Sequence, residues 1–166
     1  TLILLYPIKA LGDLKAEANI NLEICGEGEE EPYLVGLAKE LGIDDSVQFN
    51  GFQSSINQYM AKSDLLILPS LYEGMPNVVV EALAYSVPAL VSSIPAHTLL
   101  FTSGEVEFFE NDNVDSLTKK LKTIFRGEID LRKSLDHARK FVASRTVNSI
   151  ATQCLAYYDG VIRGKN

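Results

Sequence analysis

Two carboxylates frame a short segment near the middle of the chain whose residue types suit an anionic ligand. Glu73 stands directly before Gly74, and Glu81 follows within a predicted helix. Gly74 frees the backbone, Pro76 fixes the chain as it enters the helix, and Asn77 is a favoured N-cap residue. The N–H groups of a helix start attract phosphate, and carboxylates accept paired hydrogen bonds from vicinal hydroxyls. The segment therefore predicts a site for an anion that also bears a sugar or a ribose.

Two other turns have the backbone freedom that a close ligand requires. Gly26 and Gly28 follow one predicted strand, and Gly51 and Phe52 follow the next. Glycines let a ligand approach the backbone, and the second turn leaves room for a planar base. A simpler interpretation stays open, in which both places are plain turns, Glu73 only stabilises the helix start and Glu81 is a solvated surface residue.

The elements that position these residues alternate between short apolar runs and segments of helical period. The predicted strands are Leu2–Tyr6, Leu22–Cys25, Val47–Asn50, Leu65–Leu68 and Ala89–Ser92, with a short sixth at Val106–Phe109. Predicted helices lie around Ile8–Leu14, Leu34–Leu41 with a stop at Gly42, Ile56–Ala61, Asn77–Tyr85, Leu117–Phe125, Leu131–Val142 and Val147–Tyr158. Buried strands separated by helices require parallel pairing with right-handed crossovers. We therefore expect a Rossmann-like three-layer α/β/α sandwich, with ligands outside the carboxyl ends of the strands.

The first junction does not fit this pattern. The first strand would pass into the first helix through Pro7 alone, whereas such connections usually take about 2 to 6 residues. Either the first element is not a strand or a loop is missing between Pro7 and Ile8. We expect the missing loop.

Composition excludes several classes of protein. The chain has 166 residues, 46% hydrophobic and 22% charged, which is typical of one globular domain. With 15 basic and 22 acidic residues the net charge is -7, so nucleic acid is not an expected partner. Apolar runs such as Leu65–Leu68 are far shorter than the roughly 20 residues of a membrane span, so we expect a soluble domain without a signal peptide. Cys25 and Cys154 lie apart in apolar patterns, which predicts buried thiols in a reducing cytoplasm.

Four stretches together resemble a known family. They are Gly26-x-Gly28, Val47–Gly51, Ser63–Pro76 and Glu81–Ala84, with the spacing Glu73-x7-Glu81 at their centre. The combination is similar to the C-terminal, donor-binding domain of family 4 retaining glycosyltransferases (glycosyl transferases group 1), which is one half of the GT-B fold. The resemblance covers almost the whole chain.

The resemblance implies a role for each candidate residue. Glu73 would be catalytic, and the donor-binding residues would be Gly26, Gly28, Gly51, Phe52, Gly74, Met75, Pro76, Asn77 and Glu81. Glu73 and the backbone of residues 74–77 would hold the donor sugar and its diphosphate, and the first two glycines would line the phosphate side. The segment around Gly51-Phe52 would receive the base, and Glu81 would bind the ribose. The family needs no metal and no cofactor beyond its nucleotide-sugar substrate, and His97 and His137 are isolated in the sequence.

The resemblance also makes residues 1–166 a single domain of a two-domain enzyme whose N-terminal acceptor domain is absent. Its partners would be the donor and that N-terminal domain, and any membrane contact would be made through the absent half. We expect a cytoplasmic enzyme, peripheral at the inner face of the membrane, whose isolated donor half binds without turnover. Two departures stand out: the basic Arg and Lys loop after the first strand is absent, and no Gly or Glu accompanies Pro95-Ala96-His97, so His97 receives no role.

Three alternatives remain beside this expectation. A sugar-nucleotide epimerase of the same fold would need its own acid and base residues, and no such set is evident. A structural, non-catalytic glycosyltransferase half would keep the fold but lose the donor. A receiver-like signalling domain would need acidic residues after the first strand and an Asp after the third, where this chain has Pro7 and Asn50-Gly51.

Overall fold

The computed structural model describes residues 3–144, which form an α/β domain. The helices are α1 (Leu5–Leu14), α2 (Glu31–Glu40), α3 (Asn57–Met60), α4 (Asn77–Ala84), α5 (Pro95–Thr98), α6 (Val114–Phe125) and α7 (Leu131–Ser144). The strands are β1 (Leu22–Ile24), β2 (Val47–Phe49), β3 (Leu66–Leu68), β4 (Ala89–Ser92) and β5 (Glu107–Phe109), and a 3-10 turn covers Asp44–Ser46. The predicted alternation of strand and helix from Leu22 onward is confirmed.

Among residues 3–144 all strand pairing is parallel, and the strands form two sheets. In the first sheet β1 pairs with β2, with Leu22 opposite Val47. In the second sheet the order is β3-β4-β5, with Leu66 opposite Ala89 and Leu90 opposite Glu107. Parallel strands place their carboxyl ends at one edge, so the loops after β1 and β2 gather at one place and those after β3 and β4 at another.

The prediction of a first strand at Leu2–Tyr6 is wrong, because Leu5 and Tyr6 form the first turn of α1. Pro7 fits there, since the N–H groups of a first helical turn have no partner within the helix. Pro7 and Ile8 are consecutive residues of one helix, so the expected missing loop between them is also wrong. Leu2 lies outside the described residues.

Helix α1 packs against both sheets through two sets of side chains. Ile8 and Leu11 contact a cluster that includes Ile24 of β1. Ala10 and Leu14 contact a different cluster that includes Leu90 of β4. Full burial of one leucine stabilises a fold by about 1.5–3 kcal/mol, so both sets matter. A single helix therefore covers one face of the two sheets.

The opposite face of the second sheet is covered by α4 and α7. Val79 and Leu83 of α4, Val91 of β4 and Ala138 of α7 form one buried cluster. All four residues of β4 are buried, as expected for a central strand with helices on both faces. This arrangement confirms the expected three-layer α/β/α sandwich.

Several local expectations can be compared with the structure. Gly42 has a φ of 65°, which confirms it as the left-handed residue that ends α2. Cys25 is exposed rather than buried, because side chains alternate along a strand and the preceding Ile24 takes the inward position. Cys154 and the predicted helix Val147–Tyr158 lie outside the described residues. Within residues 3–144, no helix has the length and apolar character needed to cross a bilayer.

Candidate functional site

The turns after β1 and β2 are joined by backbone hydrogen bonds that continue beyond the paired strands. The Asn50 N–H donates to the Ile24 carbonyl at 2.8 Å, and the Gly26 N–H donates to the Gly51 carbonyl at 2.7 Å. Gly26 has a φ of 140° and Gly51 a φ of 63°, a region that other residue types adopt only with strain. The structure therefore brings together two turns that the sequence had suggested only separately.

Glu27, in the turn after β1, holds the turn after β2 in place. Its carboxylate accepts a hydrogen bond from the Phe52 N–H at 3.2 Å. The Phe52 side chain is 70% exposed, so one face of the ring is available to a flat ligand. A side chain at Gly28 would meet no other atom within 4 Å, which leaves the backbone there open to solvent. A planar aromatic surface thus lies beside a glycine turn.

Cys25 is adjacent to this pair of turns, and its surroundings favour the protonated thiol. Partial burial, and next the charge of Glu23, raise the pKa of the Cys25 thiol above its usual range, and a hydrogen bond with Asn50 opposes them. The Glu23 carboxylate itself accepts from the Asn50 side-chain amide at 2.5 Å. Because only the thiolate is strongly reactive, the protonated thiol is chemically quiet.

The segment after β3 holds Glu73 through a chain of hydrogen bonds. The Ser70 hydroxyl donates to Glu73 Oε1 at 2.9 Å. The Ser70 carbonyl in turn accepts from the Ser92 hydroxyl, at 2.5 Å, at the end of β4. The His97 ring contacts the Ser92 carbonyl through Nδ1 at 2.7 Å. The half-buried Glu73 carboxylate is thereby connected to the buried interior of the second sheet.

The rest of this loop is exposed. The Tyr72 side chain is 87% exposed and Met75 is 51% exposed. A Cβ added at Gly74 would meet nothing within 4 Å. Pro76 by contrast is fully buried and anchors the loop where α4 begins. Residues 72–75 therefore form an open surface around Glu73 on which a ligand can lie.

The prediction that Asn77 caps α4 is wrong. Pro76 occupies the N-cap position, no side chain caps the helix, and Asn77 is already its first residue. The Asn77 N–H donates to the Met75 carbonyl at 2.9 Å, and the Val79 N–H donates to the Pro76 carbonyl at 3.1 Å. These two N–H groups are occupied, so the expected convergence of free N–H groups on one point is reduced.

Glu81 lies on the exposed face of α4. Asn77, Glu81 and Ala84 are exposed, while Val79 and Leu83 face the core. Residues four apart share a helix face, so Glu81 lies one turn behind Asn77 along the same surface. The Glu81 side chain is therefore open to solvent on the helix that the Glu73 loop precedes.

The candidate residues thus form two groups. The first comprises Gly26, Gly28, Gly51 and Phe52 on the first sheet, and the second comprises Glu73, Gly74, Met75, Pro76, Asn77 and Glu81 on the second sheet. Hydrogen bonds join members within each group. Within residues 3–144, no cluster of three or more His, Cys, Asp or Glu side chains could hold a metal ion. His137 is exposed on α7.

The structure adds residues to which sequence reasoning assigned no role. Glu27 links the two turns of the first group, and Ser70, Ser92 and His97 hold Glu73 in the second. The signal for Glu27 was its position between two candidate glycines, Gly26 and Gly28. Ser92 gave only the weak signal of a polar residue at the end of an apolar strand, and its partner Ser70 belongs to another strand's loop.

Comparison with known proteins identifies the family. The model of the family described as "Glycosyl transferases group 1" matches residues 5–141. An uncharacterized glycosyltransferase of Haemophilus influenzae is 39% identical over 103 residues, which is 61% of this chain and 29% of that protein. A Campylobacter jejuni N-acetylgalactosamine-N,N'-diacetylbacillosaminyl-diphospho-undecaprenol 4-alpha-N-acetylgalactosaminyltransferase is 34% identical over 136 residues, or 80% of this chain and 36% of its own length.

Solved structures share the fold. A glycosyltransferase from Rickettsia africae superimposes with a TM-score of 0.82 and 20% identity, over 95% of this chain and 44% of that one. The Anabaena protein HepE, in complex with UDP and glucose, superimposes with a TM-score of 0.81 and 21% identity. The match covers 93% of this chain and 44% of the HepE chain. This chain therefore spans less than half of each, and its parallel α/β architecture is that of one half of a GT-B fold. The chain belongs to the glycosyl transferases group 1 family.

Proposed function

We propose that the chain is the C-terminal, donor-binding half of a two-domain retaining glycosyltransferase, and that its ligand is a nucleoside diphosphate sugar. The observation that carries the proposal is the Glu73 carboxylate, held at 2.9 Å by Ser70 in an otherwise open loop that leads into the helix with the exposed Glu81. Membership of the family supports it, as does the UDP and glucose bound to the Anabaena relative in fold.

Each group of residues receives one part of the donor. The turn at Gly26 and Gly28 would line the diphosphate, and the exposed Phe52 ring would stack on the base. Glu81 would accept hydrogen bonds from the ribose hydroxyls. Residues 74–77 would approach the sugar and its phosphates through their backbone, as the openness of Gly74 permits.

Glu73 would act on the sugar itself. As the bond between the sugar carbon and the diphosphate breaks, positive charge develops on the ring, and a fixed carboxylate stabilises it. The acceptor would then attack from the face that the diphosphate leaves, which retains the configuration. Because the Ser70 hydroxyl already donates to one Glu73 oxygen, the carboxylate needs little rearrangement to act in this way.

The whole enzyme would carry an acceptor-binding N-terminal domain, and turnover would need both halves. We extend the proposal to a metal-independent reaction, since the proposed roles use carboxylates and backbone rather than a cation. The enzyme would work in the cytoplasm, peripheral at the inner face of the membrane, with lipid contacts made by the N-terminal domain.

Isothermal titration of this chain with UDP, ADP and GDP, each in the absence and in the presence of EDTA, tests the proposal. We expect heat of binding for at least one nucleotide, undiminished by EDTA, and none for inorganic phosphate alone. Absence of binding by all three nucleotides at millimolar concentration would contradict a donor site and favour a structural, non-catalytic half. Binding that disappears with EDTA would contradict metal independence alone.

A further inference from the structure

His97 is a fully buried polar side chain that lies on the short helix α5. Its Nδ1 lies 2.7 Å from the Ser92 carbonyl and 3.5 Å from the Ser92 hydroxyl. The hydroxyl gives its own hydrogen to the Ser70 carbonyl at 2.5 Å. Both neighbours of Nδ1 are therefore acceptors, which assigns the ring proton to Nδ1.

This assignment leaves the other ring nitrogen as a lone acceptor. His97 Nε2 is buried and has no hydrogen-bond partner among residues 3–144. A buried acceptor without a donor costs free energy, so an imidazole is less favourable there than an apolar side chain of similar size. Packing alone thus does not account for a histidine at this position, and the hydrogen bond from Nδ1 is what the residue contributes.

That bond holds Ser92 at the end of β4, and Ser92 in turn joins the loop after β3. The last paired residues of these two strands are Leu68 and Val91. Beyond them, the Ser92 side chain continues the connection by donating to the Ser70 carbonyl. Ser92 is itself fully buried, with its carbonyl on His97 and its hydroxyl on Ser70. The backbone of Ser70 is therefore held from the interior of the domain.

Ser70 in turn holds the Glu73 carboxylate by a hydrogen bond. Its hydroxyl donates to Glu73 Oε1 at 2.9 Å, three residues along the loop. The intervening Tyr72 is 87% exposed, and a Cβ added at Gly74 on the other side would meet nothing within 4 Å. The residues on either side of Glu73 are thus exposed, and the hydrogen bond from Ser70 connects its carboxylate to the buried end of β4.

We propose that Ser92 and His97 are positioning residues that fix the Glu73 carboxylate through Ser70. The proposal deepens the proposed function and rests on it for its catalytic meaning, because Glu73 is the residue assigned to the sugar. Ser92 and His97 do not touch the ligand in this view. They set the direction in which the Glu73 carboxylate faces the donor.

Backbone ¹⁵N relaxation of residues 71–75 in the ligand-free chain tests the positioning directly. His97→Leu removes the donor, whereas His97→Asn keeps a side-chain N–H close to the position of Nδ1. Ser92→Ala removes the hydroxyl that holds Ser70. We expect the loop amides to become more mobile in His97→Leu and Ser92→Ala and to regain wild-type order in His97→Asn. Thr98→Val, which removes a bond to the Ile94 carbonyl on the same helix, is the matched control.

Binding measurements connect the positioning to the donor. The ratio of affinities for UDP-glucose and UDP should fall by about five- to tenfold in the two loosened variants and remain unchanged in Thr98→Val. Unchanged loop order in a folded Ser92→Ala variant would overturn the proposal, as would equal loosening in His97→Leu and His97→Asn. If wild type binds no nucleotide, the donor function fails, while the ligand-free relaxation still decides whether these residues position Glu73.

Discussion

The Phe52 N–H donates to the Glu27 carboxylate across 3.2 Å, and this bond ties the turn after β2 to the turn after β1. The Phe52 ring is exposed next to this bond, so the bond determines where the aromatic surface is available to a base.

Glu27→Ala should free the turn and lower nucleotide affinity about threefold to tenfold, since a hydrogen bond to a charged group is lost. Glu27→Gln keeps an acceptor oxygen and should lose less. Calorimetry with the tightest-binding nucleoside diphosphate measures both, and equal losses in the two variants would contradict the role of the bond.

Glu81→Ala should weaken nucleotide binding roughly ten- to a hundredfold, because the carboxylate is expected to bond ribose hydroxyls. Stability should barely change, since the side chain is exposed on α4. Glu40→Ala is the matched control, an exposed glutamate at the end of α2, on a different helix. Titration calorimetry that gave equal affinities for wild type and Glu81→Ala would remove Glu81 from the ribose.

In the two-domain enzyme, Glu73→Gln should lower kcat more than it weakens donor binding. Glutamine preserves the shape and can still accept the Ser70 hydrogen bond, but it has no charge to stabilise the ring as the diphosphate leaves. Steady-state kinetics at a fixed acceptor concentration separate the two effects. A raised donor KM with an unchanged kcat would show that Glu73 only binds the ground state.

Gly74→Val should reduce ligand binding far more than stability. A Cβ at this position meets no atom within 4 Å, so the fold can accept the side chain. The branched group would nevertheless stand where a ligand approaches the loop backbone and would restrict its conformations. Thermal unfolding and calorimetry on the same sample compare the two effects. A large drop in Tm with unchanged binding per folded molecule would make the loop structural and place the site elsewhere.

Glu17 makes the stability of the domain sensitive to acid. Its carboxylate contacts Lys122 at 2.8 Å and Arg126 at 3.2 Å, beyond the end of α1. The Lys122 hydrogen bond, assisted by both cationic charges and opposed by burial, lowers the pKa of Glu17 below its ordinary value. A lowered pKa adds stability above the unfolded-state pKa and loses it as pH falls through the folded-state pKa.

Glu17→Gln should therefore cause a small decrease in Tm at neutral pH, because exposed ion pairs contribute little. The difference from wild type should shrink as the pH is lowered below about 4.5, the ordinary glutamate value. Calorimetric melting across that range measures it, with Glu40→Gln as control. A difference that grew on acidification would mean that the ion pairs do not explain the effect.

Sequence periodicity predicted most of the fold but failed at the first short apolar run. The run from Leu2 to Tyr6 is too short to distinguish a strand from a helix, and the helical contacts of Leu5 are made only in the folded domain. The start of α4 was predicted within one residue, yet its cap was misassigned because Pro76 had already taken that position. The sequence predicted Glu73 and Gly51 as site residues, but it did not predict the residues that hold them in place. Ser92 and Ser70 are 22 residues apart, and only the parallel pairing of β3 and β4 brings them together.

The placement of α1 has a consequence for how the domain unfolds. One side of this helix belongs to the cluster of β1 and β2, and another side to that of β4. No strand ladder joins the two sheets within the part of the chain that the structure describes, so they are not one hydrogen-bonded unit. Native-state hydrogen exchange should accordingly resolve two cooperative units, with the β1–β2 amides opening at a lower free energy than those of the more deeply buried β4. Truncating Leu34 of α2 should lower only the first opening energy and truncating Leu14 of α1 only the second. Truncating Leu11 and Leu14 together should lower both, because the two side chains lie in different clusters, which makes α1 the mechanical coupling between two otherwise separable units.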